Sequence, residues 1–246
     1  MSLRWLFLIA AMAVPSTAAA ESDWEYTVTL YSWILGVNSV AETPFGEVEV
    51  DLSFEEILEV FDIGVVGSLE ARNGKWSLIG DLQYYDLGAE AETPAAPFIS
   101  ATVDTKITIL GTYAVYAVVD DNDLRFDVGG GLRFNDLFVR TQFSGGPAGG
   151  NVFSNDATWV DLLVAARLQY NFNERWRGFA FADYGGFGIG DSSDPTWQVA
   201  AGAAYQFNEK WSAIGGYRHL AIDRDFGRFA TTIDVTGPFL GFQASF

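Results

Sequence analysis

The amino-acid sequence predicts an all-β protein, a transmembrane antiparallel up-and-down β-barrel of ten strands, with eight strands as the alternative. Three observations carry this expectation. Segments from Trp24 to Phe246 alternate apolar and polar residues, and a strand has a side-chain period of two. No apolar run approaches the roughly 20 residues that a membrane-spanning helix needs. Short and long connections alternate, as they do in a barrel with tight turns at one end and longer loops at the other.

Residues 1–20 read as a cleavable signal peptide. Arg4 supplies the charged start, Trp5 to Val14 an apolar run, and Ala18 and Ala20 the small residues of a cleavage site. Residues 21–246 then form a single barrel domain. The first strand covers 24–37, with Trp24, Tyr26, Val28 and Leu30 on one face and Glu25, Thr27, Thr29 and Tyr31 on the other. The second, 63–72, meets the third, 76–84, through Asn73-Gly74, a strong signal for a two-residue hairpin. The fourth, 102–119, has Ile107, Ile109, Gly111, Tyr113, Val115, Ala117 and Val119 as its apolar, outward face. The fifth, 124–135, sets Leu124, Phe126, Val128, Leu132 and Phe134 against Arg125, Asp127, Arg133 and Asn135. The sixth, 160–170, sets Val160, Leu162, Val164 and Leu168 against Asp161, Leu163, Ala165 and Arg167. Strands at 176–187, 197–207, 211–222 and 231–246 complete the ring. The long connections are 38–62, 86–101, 141–157, 188–195 and 223–230.

An internal repeat supports this register. Tyr170-Asn171-Phe172-Asn173-Glu174-Arg175-Trp176 recurs as Tyr205-Gln206-Phe207-Asn208-Glu209-Lys210-Trp211. Each copy is an aromatic strand end, an Asn-Glu turn and a Trp that opens the next strand. Tyr170, Phe172, Trp176, Tyr205, Phe207 and Trp211, with Trp24, Trp76 and Phe246, are the expected aromatic girdle at a membrane interface.

Alternation alone does not say which face points inward, because a soluble barrel buries its apolar face. The small residues decide. Gly129, Gly131, Ala165, Ala200, Gly202 and Ala204 share the charged face, where long side chains need room to pair. Only three lysines occur, fewer than a water-exposed barrel wall would carry. The charged face is therefore the lumen. Glu70, Arg72, Asp81, Lys106, Asp127, Arg133, Asp161, Arg167, Arg177, Asp183 and Arg218 are its expected charge network. Buried charges are tolerated when they are paired and hydrogen-bonded, and a ring of this size is nearer to filled barrels than to wide porins. A largely plugged lumen follows, with a narrow solute pathway as the alternative.

The net charge of −18 excludes nucleic acid as a partner, since phosphate binding needs Lys and Arg. The excess acid sits in the first long connection: Glu42, Glu47, Glu49, Asp51, Glu55, Glu56, Glu59 and Asp62, with no Lys or Arg among them. Divalent cations are possible partners there. Within this connection 52–61 reads as a short helix. Ser53 and Glu56 form a capping box, Phe54 follows the cap, Leu52 and Ile57 make a hydrophobic staple, and Ile57, Leu58 and Phe61 share a side.

Catalytic equipment is sparse. His219 is the one histidine, with Asp223 and Asp225 nearby, and no cysteine is present for a conventional zinc site or thiol chemistry. A His–Asp pair at a barrel rim resembles the equipment of omptin proteases, but a second carboxylate pair is missing. The close His and Ser of outer-membrane lipid A deacylases are missing too, since Leu220 and Ala221 follow His219. A non-enzymatic envelope or surface-interaction role without a cofactor is expected, with a narrow porin-like channel for small solutes as the alternative and an outer-membrane hydrolase using His219 as the weaker one.

The signal peptide, the alternating strands, the turn-Trp repeat and the terminal Phe246 together resemble small Gram-negative outer-membrane β-barrels of the OmpA and OmpW type. The resemblance implies an outer-membrane location with both termini periplasmic, contact with outer-membrane lipids and lipopolysaccharide, and delivery by the barrel assembly machinery through the C-terminal strand. It implies no particular activity.

Overall fold

The computed structural model describes residues 23–33, 36–43, 46–52, 61–92, 100–144, 150–226 and 229–246. They form twelve strands: β1 (Trp24–Trp33), β2 (Gly36–Thr43), β3 (Gly46–Leu52), β4 (Phe61–Asn73), β5 (Trp76–Glu92), β6 (Ser100–Asp120), β7 (Leu124–Ser144), β8 (Val152–Asn171), β9 (Trp176–Gly185), β10 (Thr196–Gln206), β11 (Trp211–Phe226) and β12 (Phe229–Ser245). β1 pairs with β4, each later strand from β4 to β12 pairs antiparallel with the next, and β12 returns to β1. The ring is thus a closed antiparallel barrel of ten strands. β12 pairs first with β2 (Val235↔Val37) and then, towards its C-terminal end, with β1, so β2 continues the wall that β1 begins. β3 pairs back onto β2 as a hairpin on the loop side. Closure leaves no exposed sheet edge within the membrane-spanning ring, which lipid requires.

Three features depart from the sequence reading. The strands run further on the loop side than alternation suggested. β11 and β12 stay paired out to Phe226↔Phe229, so the expected long connection at 223–230 is tight. Outside the membrane neither face has to be apolar, so polar strand segments there look like loop. The expected helix at 52–61 falls mostly outside the described residues, but Leu52 ends β3 and Phe61 begins β4, and no helix occurs among the described residues. The first hairpin turns on Gly74-Lys75, with Asn73 paired to Trp76; Gly74 takes a positive φ of 54° that favours glycine.

The apolar exterior follows strand parity. Leu30, Val65, Leu69, Leu78, Leu132, Leu162, Val164 and Phe242 are all exposed on the outer face. β6 is the exception to the expected facing. Ile109, Tyr113, Val115 and Ala117 are buried inside, while Leu110, Tyr116 and Val118 face out. β6 is apolar on both faces, so its alternation carries no orientation. The inside is not uniformly polar either: on the loop side Trp33, Tyr85, Ile109, Trp159, Leu220 and Ile222 form a buried apolar cluster, which continues turnward through Phe239 to Ile214.

Candidate functional site

The lumen brings together ten of the eleven charges expected there, eight of them in two hydrogen-bonded sets and Asp161 and Arg177 apart from both. The first lies near the short turns. Arg167 of β8 reaches across to Glu70 of β4 at 2.8 and 3.0 Å, and also holds Asp127 of β7 at 2.8 Å and Ser77 at 3.2 Å. Asp127 accepts a second bond from Arg125, whose guanidinium also grips Asp120 and the carbonyls of Gly74 and Lys75. Arg125 therefore ties two short turns to the lumen floor. Arg72 stands 3.4 Å from Glu70 and 3.8 Å from Glu25.

The second set crosses the middle of the barrel. Arg218 of β11 donates to Asp81 of β5 at 3.0 and 3.1 Å, to Gln198 at 2.7 Å and to the Tyr31 hydroxyl at 2.7 Å. Tyr31 in turn donates to Asp81 at 2.6 Å. Gln198 donates to the Tyr113 hydroxyl, which donates to Asp183 at 2.8 Å. Arg133 completes the chain on Asp183 at 2.7 Å and on Thr196 at 2.6 Å. The network thus runs through β5, β1, β11, β10, β6, β9 and β7. Space for Tyr113 comes from glycine: a β-carbon on Gly131 would stand 2.8 Å from the Tyr113 ring and collide with the Thr112 carbonyl oxygen.

Asp161 lies nearer the loops and has a different task. It accepts bonds from Asn135, from the Trp159 indole, and from both the amide and the hydroxyl of Ser193. These bonds draw the connection between β9 and β10 inward, and Ser193 is fully buried. Above Arg218, the Trp33 ring lies 4.9 Å from its guanidinium carbon, a desolvated cation–π contact.

Lys106 is the charge that does not belong. It sits on the outer face of β6, half exposed, opposite Asp86 in the register and 3.3 Å from it. Its expected inward facing came from the parity error on β6. Arg177 does face inward, but its recorded partner is the amide oxygen of Gln243 at 2.8 Å, and its Nε is buried without an acceptor. Tyr31, Tyr113, Gln198, Thr196 and Ser193 join the site without having been singled out. Tyr31 and Gln198 share inner-face parity with charged residues, a signal that an uncharged hydroxyl or amide makes easy to pass over.

The nine girdle aromatics gather at the short-turn end. Trp24, Trp76, Tyr170, Phe172, Trp176, Phe207, Trp211 and Phe246 are exposed there, and Tyr205 packs between Trp176 and Phe207 at ring distances of 5.0 and 5.4 Å. The repeated motif has a repeated mechanism. Asn173 Oδ1 accepts the amides of Arg175 and Trp176 at 2.9 and 3.0 Å, and Asn208 Oδ1 accepts those of Lys210 and Trp211 at the same distances. At the other end of β10 Trp197 also faces out. The span from Tyr205 to Trp197 is about 26 Å along the strand, or ~20 Å along the barrel axis at a tilt of ~40°, a height that suits a thin apolar layer.

His219 is on the outer face. Its ring lies 4.6 Å from that of Trp197, and Nε2 is 3.6 Å from Asp234. Among the described residues its carboxylate neighbour is Asp234 and not Asp223, and the side chain of Asp225 lies outside the described ones. Among the described residues no cluster of three or more His, Cys, Asp or Glu side chains is arranged to hold a metal ion. The side chains of the acidic first connection lie outside the described ones.

No protein-family model and no curated protein matches the chain. Solved structures do match in fold. The outer membrane protease OmpT from Escherichia coli aligns with a TM-score of 0.55 and 8% identity, over 94% of this chain and 99% of that one. The translocator domain of the autotransporter NalP from Neisseria meningitidis aligns with a TM-score of 0.50 and 14% identity, over 89% of this chain and 88% of that one. The fold is therefore that of Gram-negative outer-membrane β-barrels. At these identities the likeness extends to the fold alone, and proteolysis stays with OmpT.

Proposed function

We propose that this chain is a non-enzymatic outer-membrane barrel whose lumen is closed by its own side chains and whose role is carried by its loop-side surface. The observation that carries the reading is the bond from Arg218 to Asp81, which joins nearly opposite walls and continues without a break to Arg133. The part of the apolar cluster around Trp33, Tyr85 and Leu220 lies on its loop side and adds a layer that disfavours hydrated ions. In this reading the short turns and both termini face the periplasm and the long connections face outward, as in bacterial barrels of known orientation. The β2–β3 hairpin, which carries Glu42, Glu47, Glu49 and Asp51, lies on that outer side, and its charge repels polyanions and favours cations bridging to lipopolysaccharide.

Purified barrel in planar bilayers tests closure. The expected result is a silent bilayer, with conductance appearing only when Asp81 and Arg218 are both replaced by alanine. Steady ion conductance by the unaltered protein overturns the closed-lumen reading and returns the narrow channel.

A further inference from the structure

Between the turn-side ion pairs and the Arg218–Asp81 crossing lies a cavity of about 180 Å³. Three arginines, Arg167, Arg177 and Arg218, line it together with two carboxylates, Glu70 and Asp81. Both carboxylates are taken: Glu70 by Arg167 and Arg72, Asp81 by Arg218 and the Tyr31 hydroxyl. Arg177 remains, with no carboxylate within 4 Å among the described residues and with Nε buried and unsatisfied. Arg177 is half-buried, and taking a guanidinium partly out of water without a counter-charge carries a desolvation cost. An anion in the cavity would offset that cost.

The rest of the wall says what kind of anion. Phe179, Phe181, Ile214 and Phe239, from β9, β11 and β12, make one side apolar, and Ile79 of β5 lines the wall across from them. An engineered apolar cavity of about 150 Å³ holds one benzene ring, so this one has room for a body of that size. A smaller cavity of about 90 Å³ at the turn-side rim shares Arg177 and Ala204 with it. Arg177 therefore stands where the rim space meets the inner cavity, and the crossing network ends the cavity on the loop side.

We propose that this cavity is a binding pocket, entered from the short-turn end, for a small organic carboxylate with an apolar body. The carboxylate pairs with Arg177, and the body lies against Phe179, Ile214 and Phe239. Two parallel N–H donors of a guanidinium match a carboxylate's two oxygens, and the apolar wall selects against acetate. The blind end of the pocket rests on the closed lumen proposed above; the entry, the charge and the apolar wall do not.

Calorimetric titration of the folded barrel in detergent, with benzoate, benzyl alcohol and acetate as probes, tests this. Benzoate should bind, with benzyl alcohol and acetate each at least about tenfold weaker. Arg177→Gln should cost benzoate about tenfold and leave benzyl alcohol unchanged. Ile214→Trp, which fills the cavity, should remove both. The heat-dependent gel shift of each variant reports that the barrel is folded. Benzoate binding that survives Arg177→Gln at full strength, or no benzoate binding by the folded wild-type protein, overturns the proposal and leaves a hydrated cavity only. A barrel that conducts ions yet still binds benzoate through Arg177 overturns the closed lumen and keeps the pocket.

Discussion

Asp81 and Arg218 stand on strands β5 and β11, nearly opposite in the ring, and their side chains meet inside it at 3.0 Å. The pair is not isolated. Tyr31 touches both partners, Gln83 donates to Asp81, and Gln198 accepts from Arg218. Removing one charge strands the other in the lumen. Asp81→Leu should therefore destabilise the barrel by about 3–5 kcal/mol. Adding Arg218→Met should restore part of that loss, because the stranded charge goes with it. Urea unfolding in lipid vesicles, followed by tryptophan fluorescence, measures both. A double variant less stable than Asp81→Leu would mean that the contacts of Arg218 with Tyr31, Gln198 and Trp33 outweigh the ion pair.

The paired turns make a matched test. Asn173 and Asn208 each accept two backbone amides in an exposed turn that opens on Trp176 or Trp211. Asn173→Ala and Asn208→Ala should each cost about 1 kcal/mol, while Asp at either position keeps the acceptor and most of the stability. The same unfolding measurement applies. Unequal losses at the two sites would show that the repeat shares geometry without sharing energetics.

Charge was what made the strand faces legible. On β7 the alternation of Arg125, Asp127 and Arg133 with Phe126, Val128 and Leu132 has one reading once the small residues mark the inside. On β6 nothing marks it, since Tyr113 and Val115 are as apolar as Tyr116 and Val118. The buried cluster that Ile109 joins with Trp33, Trp159 and Phe239 shows why the error arises: inward residues that pack into such a cluster need not be polar. The charge network was legible as a set of residues but not as a set of partners. That Glu70 engages Arg167 and Arg72 while Arg177 meets Gln243 and no carboxylate among the described residues depends on barrel stagger, which no local pattern encodes.

The facing of β6 can be checked chemically, because the chain contains no cysteine and any introduced thiol is unique. Tyr116 is 38% exposed and Val115 is 0% exposed. In vesicles, a membrane-dissolved maleimide should label Tyr116→Cys and leave Val115→Cys unmodified. Labelling of Val115→Cys with protection of Tyr116→Cys would reverse the strand and return Ile109 and Tyr113 to the lipid face.

Glycines on the two faces of the wall should respond oppositely to one added methyl group. Gly131 faces inward on β7, and its β-carbon would press on the Tyr113 ring and on the Thr112 carbonyl oxygen. Tyr113 cannot yield freely, since its hydroxyl bridges Gln198 and Asp183. Gly131→Ala should cost about 1–3 kcal/mol, as overpacking does. Gly80 faces outward on β5, and nothing lies within 4 Å of a β-carbon there. Gly80→Ala should stabilise by about 0.4–1 kcal/mol, because it restricts the unfolded chain without straining the folded one. Unfolding midpoints of the two variants decide between them: a neutral Gly131→Ala would mean that Tyr113 has somewhere else to go, and that the mid-lumen network can part at Asp183 without loss.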